Sequence, residues 1–191
     1  MELGRLLLIV MKNSYKPKDL NFGIIILCPN LNIGHLKNTI NSVNVQYPDT
    51  KTIVVLPENC DKDTMDTVSR LKKTYKAGRT VASAINCGLK HSPCTDWNFI
   101  LIAKGWLRNK VDIKYSHFIE DKTDILFSVT SLKKFNFVEE NTNLLVINQQ
   151  AFKNIGEFPD IDNLEISKLI WATRAIQKGY KFKGIVGGKC F

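Results

Sequence analysis

The residues best placed for chemistry follow a short apolar run in the middle of the chain. Phe99–Ala103 is continuously apolar and bounded by polar residues, which is typical of a strand buried on both faces of an α/β sheet. Ligands of such sheets bind at the carboxyl ends of the strands, so we expect Lys104, Gly105 and Trp106 at a binding crevice. This loop supplies a cation and an aromatic ring, but it contains no carboxylate.

Two earlier apolar runs predict the neighbours of this strand. Phe22–Cys28 and Thr52–Leu56 are rich in β-branched residues, and they end at Pro29 and Pro57. We expect these runs and Phe99–Ala103 to form neighbouring parallel strands of one sheet, with their carboxyl ends on one side.

Apolar residues at helical spacing predict three helices in the first half of the chain. The first covers His35–Val45, and the second begins after Asp61 or Asp63 and continues to Tyr75. The third follows Gly78, where small residues would let the helix lie close to the sheet.

The second half is less regular. Asp124–Thr130, Asn143–Asn148 and Lys181–Val186 are predicted strands, and Leu164–Lys178 is a predicted helix that ends at Gly179. The face of this helix that we expect to point inward comprises Ile166, Leu169, Ile170, Thr173 and Ile176. Strands that alternate with helices through most of the chain predict a largely parallel α/β sheet.

The charge balance favours an anionic partner. The 27 Lys and Arg residues outnumber the 18 Asp and Glu residues and give a formal net charge of +9. A nucleotide diphosphate, a nucleic acid or an anionic membrane surface would suit this charge, although a basic solvated surface explains any single cluster equally well.

Length and cysteine usage indicate a single domain in a reducing compartment. A chain of 191 residues suits one domain, for which we expect residues 22–191, preceded by an arm or edge strand at residues 1–21. The five cysteines have no CxxC spacing, which favours reduced thiols in a cytoplasmic protein. The apolar run Leu6–Met11 is too short to span a bilayer or to act as a signal peptide.

The order of these pieces resembles the GT-A-fold inverting glycosyltransferases that use nucleotide-diphosphate sugars. Pro29-Asn30-Leu31-Asn32 stands where that family has Pro-Thr-Tyr-Asn, and Ala84-Ile85-Asn86-Cys87-Gly88-Leu89 is similar to its Ala-x-Asn-x-Gly-Leu helix. Ile155-Gly156-Glu157-Phe158 resembles its Ile-Gly-Gly-Phe, and the likeness extends from about Phe22 to Ile185. The resemblance implies a GT-A-like (Rossmann-like) three-layer sandwich with a mainly parallel mixed sheet.

The chain departs from the family at the motif that holds a divalent metal. The family's Asp-x-Asp falls on Ile102-Ala103-Lys104, which offers no oxygen ligand for a hard cation, so we expect no metal site here. Lys104 would instead stabilise the leaving diphosphate, unless it is only a solvated loop residue.

A second departure affects the general base. The family's Glu-Asp pair falls on Asp162-Asn163, and an amide cannot accept the proton of an acceptor hydroxyl. Asp162 or Glu165 would have to supply the base.

The resemblance also implies a nucleotide site, with plain structural alternatives for some of its members. An Asn after a strand, such as Asn32, is more often a turn residue, and a Trp after a buried strand, such as Trp106, is more commonly an anchor at the edge of the core. The alternative for Asn86 is that it caps or packs rather than binds. The predicted site comprises Pro29, Asn32, Glu58, Asn59, Asp61, Arg79, Asn86, Lys104 and Trp106.

Three functions follow from these observations. The first is a glycosyltransferase-like protein that transfers a sugar from a nucleotide-diphosphate sugar to a glycan or other hydroxyl acceptor. The second is a non-catalytic relative of the same fold that binds a nucleotide or a glycan. The third, a nucleic-acid-binding α/β domain, has no recognisable motif in the sequence.

Overall fold

The strands form one mixed sheet. A computed structural model describes residues 22–92, 96–103, 125–129, 144–180 and 182–186. Its strands are β1 (Phe22–Leu27), β2 (Thr52–Pro57), β3 (Lys73–Ala77), β4 (Trp97–Ile102), β5 (Ile125–Val129), β6 (Leu144–Asn148) and β7 (Phe182–Val186). These seven strands lie in the order β3-β2-β1-β4-β6-β5-β7, and β6 runs antiparallel to both of its neighbours.

The centre of the sheet is the predicted parallel group. β1 pairs with β2 on one side and with β4 on the other, in parallel in both cases. The run Ile24–Leu27 is fully buried, as its unbroken apolar sequence requires of a strand covered on both faces. The prediction of three neighbouring parallel strands with their carboxyl ends on one side is confirmed.

Helices cover both faces of this sheet. They are α1 (Ile33–Gln46), α2 (Lys62–Ser69), α3 (Val81–Lys90), α4 (Gln149–Ile155) and α5 (Leu164–Gln177). Side chains of β1 alternate between two cores: Ile24 and Ile26 pack with α1 and α2, whereas Ile25 and Leu27 pack with α3, α4 and α5. The predicted three-layer sandwich with a mainly parallel mixed sheet is therefore confirmed.

One glycine sets the distance between α3 and the sheet. A Cβ atom at Gly88 would lie 2.4 Å from Cγ2 of Ile25, well inside van der Waals contact. Because Ile25 is buried in the central strand, α3 can pack this closely against β1 only with glycine at position 88.

The predicted extension of the second helix to Tyr75 is wrong. Helix α2 ends at Ser69, and Lys73–Ala77 forms the edge strand β3, parallel to β2. The side chain of Tyr75 packs against one core, whereas Leu71 is half exposed, so the two do not share a helical face. Lysines along the strand suit an edge, because they hinder pairing with another chain.

The predicted inward face of α5 is also wrong. Trp171, Ala172 and Ala175 are buried instead, and Ile166 and Leu169 are about half exposed. The indole of Trp171 decides the orientation, because its ring stacks on Phe158 with centroids 4.4 Å apart and its Nε1 donates to the carbonyl of Gly156 at 2.8 Å.

The end of α5 agrees with the sequence. Gly179 follows the helix with φ of 82°, the left-handed conformation that glycine adopts without strain. Its N–H donates to the carbonyl of Ile176, and the N–H of Tyr180 donates to that of Ala175, which together close the C-terminus of the helix.

Several predictions concern residues outside the described ranges. The predicted arm at residues 1–21 is one of them, and the boundary at residue 22 stays a prediction. Within the described ranges, no helix has the length and apolar character needed to cross a bilayer. The cysteines described there, Cys28, Cys60 and Cys87, are free thiols.

Candidate functional site

A crevice lies where β1 and β2 end. Its volume is about 480 Å³, and it is lined by Pro29, Pro57, Glu58, Asn59 and Arg79. Pro29 follows β1, Pro57 ends β2, and Glu58 and Asn59 come directly after β2. Arg79 comes two residues after β3. Because these strands are parallel, their carboxyl ends bring all five residues to one edge of the sheet. All except Pro57 belong to the predicted nucleotide site.

A tight turn presents the polar side chains of one wall. The N–H of Cys60 donates to the carbonyl of Pro57 at 3.0 Å, which leaves Glu58 and Asn59 as the two exposed central residues of a β-turn. From the edge strand, Nζ of Lys76 donates to the carbonyl of Cys60 at 2.6 Å and fixes the end of this turn. The wall therefore offers a carboxylate and an amide to a ligand.

The thiols behind this wall are not suited to nucleophilic chemistry. Burial raises the pKa of Cys28 to about 11, and burial likewise raises the pKa of Cys60. Because the thiolate is the reactive form, both residues act as small packed side chains at neutral pH.

Two residues of the predicted site are helix caps. Oδ1 of Asn32 accepts from the N–H of His35 at 2.9 Å and caps α1. Oδ1 of Asp61 accepts from the N–H of Thr64 at 2.7 Å and caps α2, as the sequence also predicted. These hydrogen bonds hold the pKa of Asp61 below its ordinary value. Neither side chain lines the crevice.

Asn86 is occupied by the backbone of a distant loop. Its Nδ2 donates to the carbonyl of Phe158 at 2.8 Å, and its Oδ1 accepts from the N–H of the same residue at 2.9 Å. The side chain is buried and both of its polar groups are used. This geometry favours the alternative that Asn86 packs, and its placement in the nucleotide site stays a prediction.

The loop held by Asn86 also places a carboxylate beside the N-cap of α3. A carboxylate oxygen of Asp160 accepts a hydrogen bond from the hydroxyl of Thr80, which directly follows the crevice residue Arg79. Sequence reasoning missed Asp160, because 80 residues separate it from Thr80 and no local pattern links the two.

The residues predicted to supply the base lie on the same loop and in α5. Asp162 is exposed, whereas Oε1 of Glu165 lies 2.9 Å from Nζ of the buried Lys168. Between them, Oδ1 of Asn163 accepts from the N–H groups of Glu165 and Ile166 and caps α5. Neither Asp162 nor Glu165 lines the crevice. Lys104 and Trp106 lie outside the described residues.

The end of β4 does not fit a hard divalent cation. Leu101, Ile102 and Ala103 have no side-chain oxygen, and such cations are held by oxygen ligands, usually carboxylates. Elsewhere in the part of the chain that the structure describes, no group of three or more His, Cys, Asp or Glu side chains is arranged for a metal. The predicted lack of a metal site stays a prediction.

Comparison with known proteins identifies the fold. No protein-family model and no curated protein matches the sequence. Glucosyl-3-phosphoglycerate synthase of Mycobacterium tuberculosis, in complex with Mg²⁺ and uridine-diphosphate, matches with a TM-score of 0.62 and 9% identity over 91% of this chain and 73% of that chain.

Two further solved structures are similar. Residues 1–349 of S. aureus TarS match with a TM-score of 0.60 and 14% identity over 90% of this chain and 59% of theirs, and the chain spans 35% of the longer TarS structure. The 4-diphosphocytidyl-2C-methyl-D-erythritol synthase of Anaerococcus prevotii DSM 20548 matches with a TM-score of 0.57 and 12% identity, over 87% of this chain and 89% of that chain.

At these identities the likeness concerns the fold. The chain has the GT-A-like fold that nucleotide-sugar transferases and cytidylyltransferases share, as its motif order predicted.

Proposed function

We propose that the crevice binds the nucleotide of a nucleotide-diphosphate sugar, and that the protein transfers the sugar to a hydroxyl acceptor. The observation that carries this proposal is the grouping of Glu58, Asn59 and Arg79 at the carboxyl ends of the parallel strands. A carboxylate and an amide can pair with the polar edge of a base, and a guanidinium is suited to phosphate oxygens.

Transfer of the sugar would use charged groups on two sides of the reacting carbon. Arg79, together with Lys104, would stabilise the negative charge that develops on the diphosphate as its bond to the sugar breaks. A carboxylate would take the proton from the attacking hydroxyl. Asp162 suits this role better than Glu165, because Glu165 already forms an ion pair with Lys168.

A non-catalytic role is the second candidate, and the helix cap at Asn163 favours it. The family's general base falls on this residue, whose side chain caps α5 instead. A protein with this arrangement would keep the nucleotide crevice and bind its ligand without transfer.

Sugar transfer is preferred to nucleotidyl transfer because of the turn after β1. A triphosphate is commonly cradled by successive backbone N–H groups of a glycine-rich loop. Here β1 is followed by Pro29-Asn30-Leu31-Asn32, which contains no glycine and whose proline has no N–H.

Thermal denaturation with nucleoside diphosphates and nucleotide sugars, in the presence of a chelator, tests the binding step. A ligand at a hundred times its dissociation constant stabilises the fold by about 2.7 kcal/mol, which raises the Tm by about 5–11 °C for a chain of this length. We expect Arg79→Ala to weaken binding of diphosphates more than binding of free nucleosides. The matched control is Arg70→Ala, because Arg70 is also exposed but lies at the end of α2.

The outcomes separate the two candidates. A Tm shift accompanied by turnover that Asp162→Asn abolishes would support transfer. A shift without turnover of any donor, even to water, would support the non-catalytic role. The absence of a shift with every nucleotide, with or without a divalent metal, would reject the crevice as a nucleotide site.

A further inference from the structure

Helix α5 is apolar on two opposite faces. Trp171, Ala172 and Ala175 are buried against the rest of the domain. On the opposite side, Ile166 and Leu169 are exposed by 48% and 50%, and Ile176 by 56%. Large apolar side chains that lie together on a surface commonly mark a contact with another molecule, and the exposed side of α5 has this composition.

This composition is concentrated on α5. Within the described residues, five large apolar side chains are exposed, and three of them lie on this side of α5. The other two, Val45 and Leu71, lie singly on other elements, as scattered surface residues commonly do.

The spacing along the helix fits another helix. Ile166, Leu169, Thr173 and Ile176 are separated by three, four and three residues, the spacing of core positions in a coiled coil. We name these four residues the outer face of α5. Two such helical faces can interlock along their length, and Thr173 is the one polar member.

We propose that the outer face of α5 is a contact between two copies of this chain, whose α5 helices pack antiparallel. Reversal of one helix places Ile166 opposite Ile176 and Leu169 opposite Thr173, so the same face serves both copies, as a two-fold axis requires. No residue on this face belongs to the proposed nucleotide site.

The charges at the two ends of α5 favour the antiparallel direction. Asp162 is exposed just before the first turn, whereas Arg174 lies in the last turn and Lys178 follows it. Arg174 and Lys178 each donate to a backbone carbonyl of their own chain, which does not neutralise their charge. Glu165 is already paired with Lys168 and does not count toward this contact. Antiparallel packing sets the acidic end of each helix beside the basic end of its partner, and it also opposes the two helix dipoles.

The size of the contact predicts a weak dimer. A helix of 14 residues is about 21 Å long, so a pair of them buries less than the roughly 1,200 Å² of a stable interface. We therefore expect a reversible dimer with a dissociation constant on the order of 10–100 μM.

Sedimentation velocity over concentrations from about 5 μM to 1 mM tests the proposal. We expect Leu169→Glu to raise the dissociation constant at least about tenfold, because two leucines per dimer are lost and two charges enter the contact. Thr173→Leu is expected to lower it, which a folding defect could not do. Val45→Glu is the matched control, since Val45 is 81% exposed on α1, and it should leave the dimer unchanged.

Four results would overturn the proposal. The first is a wild-type protein that stays monomeric at all these concentrations. The second is a dimer that Leu169→Glu leaves intact, and the third is a dimer that Thr173→Leu weakens. The fourth is a dimer that Val45→Glu weakens as much as Leu169→Glu does. Flotation on vesicles that contain anionic lipid is the companion measurement. A monomeric wild type that floats with these vesicles, and a Leu169→Glu variant that does not, would assign the outer face to a membrane surface instead.

Discussion

Two loops near the candidate site are built in opposite ways. The turn Pro57–Cys60 is closed by a hydrogen bond between its own ends, and the next residue caps the following helix. The loop Gly156–Ile161 is held mainly by side chains of two helices, with bonds from Asn86, Ser167 and Trp171 to its backbone.

The two loops should therefore affect different properties of the protein. The turn exposes Glu58 and Asn59, so their side chains can be changed at little cost to the fold. In the loop, Phe158 is buried and Asn86 pairs with both its N–H and its carbonyl, so loss of the Asn86 amide leaves these two groups without that partner. Stability should therefore respond to the loop, and ligand binding to the turn.

Asn86→Ala is the substitution expected to have the largest effect. It leaves the N–H and carbonyl of Phe158 without their partner, and each unpaired buried group costs about 1–3 kcal/mol. We expect the free energy of unfolding to fall by about 2–4 kcal/mol, measured by urea denaturation. Asn59→Ala, an equal change in the turn, should alter it by less than about 0.5 kcal/mol. Equal losses in the two variants would contradict the distinction between the loops.

Gly88→Ala should have the next largest effect, because it moves the helix that carries Asn86. The new methyl group must displace Ile25 or shift α3 away from β1, and overpacking of this kind costs about 1–3 kcal/mol. The better helix propensity of alanine returns only about 0.5–1 kcal/mol. The expected result is a net loss of stability, with faster amide exchange in Gly156–Ile161 than in the turn.

A second glycine provides the control for this prediction. A Cβ at Gly34 in α1 would lie 3.5 Å from Oδ1 of Asn32, an ordinary contact. Gly34→Ala should therefore leave the protein equally or more stable. Destabilisation of both variants by the same amount would show that packing against Ile25 is not the cause.

The same contrast explains what the sequence could predict. Runs such as Phe22–Cys28 form central strands because an uninterrupted β-branched apolar segment has few other stable environments. Caps such as Asp61 are local and were recognisable from spacing alone. The position of Asp160 depends on Thr80, far away in the chain, and no periodicity records such a contact.

Helix α5 shows a different reason for failure. Its bulkier aliphatic residues form one regular face, whereas the buried face consists of Ser167, Lys168, Trp171, Ala172 and Ala175. Periodicity selects the more hydrophobic side, but close packing favours small residues around one large ring, and here packing decides. For β3, five residues with two lysines carry too little apolar signal to be distinguished from a continuing helix.

The smallest expected effect concerns the cap beside the turn, and it depends on pH. The hydrogen bonds from Thr64 favour the charged form of Asp61 and hold its pKa below the ordinary value in the folded protein. Because the pKa is lower in the folded state, the charged Asp61 side chain stabilises the fold fully above the unfolded aspartate pKa of about 3.9. This stabilisation is lost as the pH falls through the lower folded pKa.

Asparagine also caps helices but does not titrate, so Asp61→Asn should change stability little at neutral pH. Urea midpoints measured for both proteins from about pH 6 down to about pH 2.5 should show the wild type losing stability relative to Asp61→Asn only at the acidic end. A difference that stays constant over this range would mean that the charge of Asp61 does not contribute to holding the start of α2.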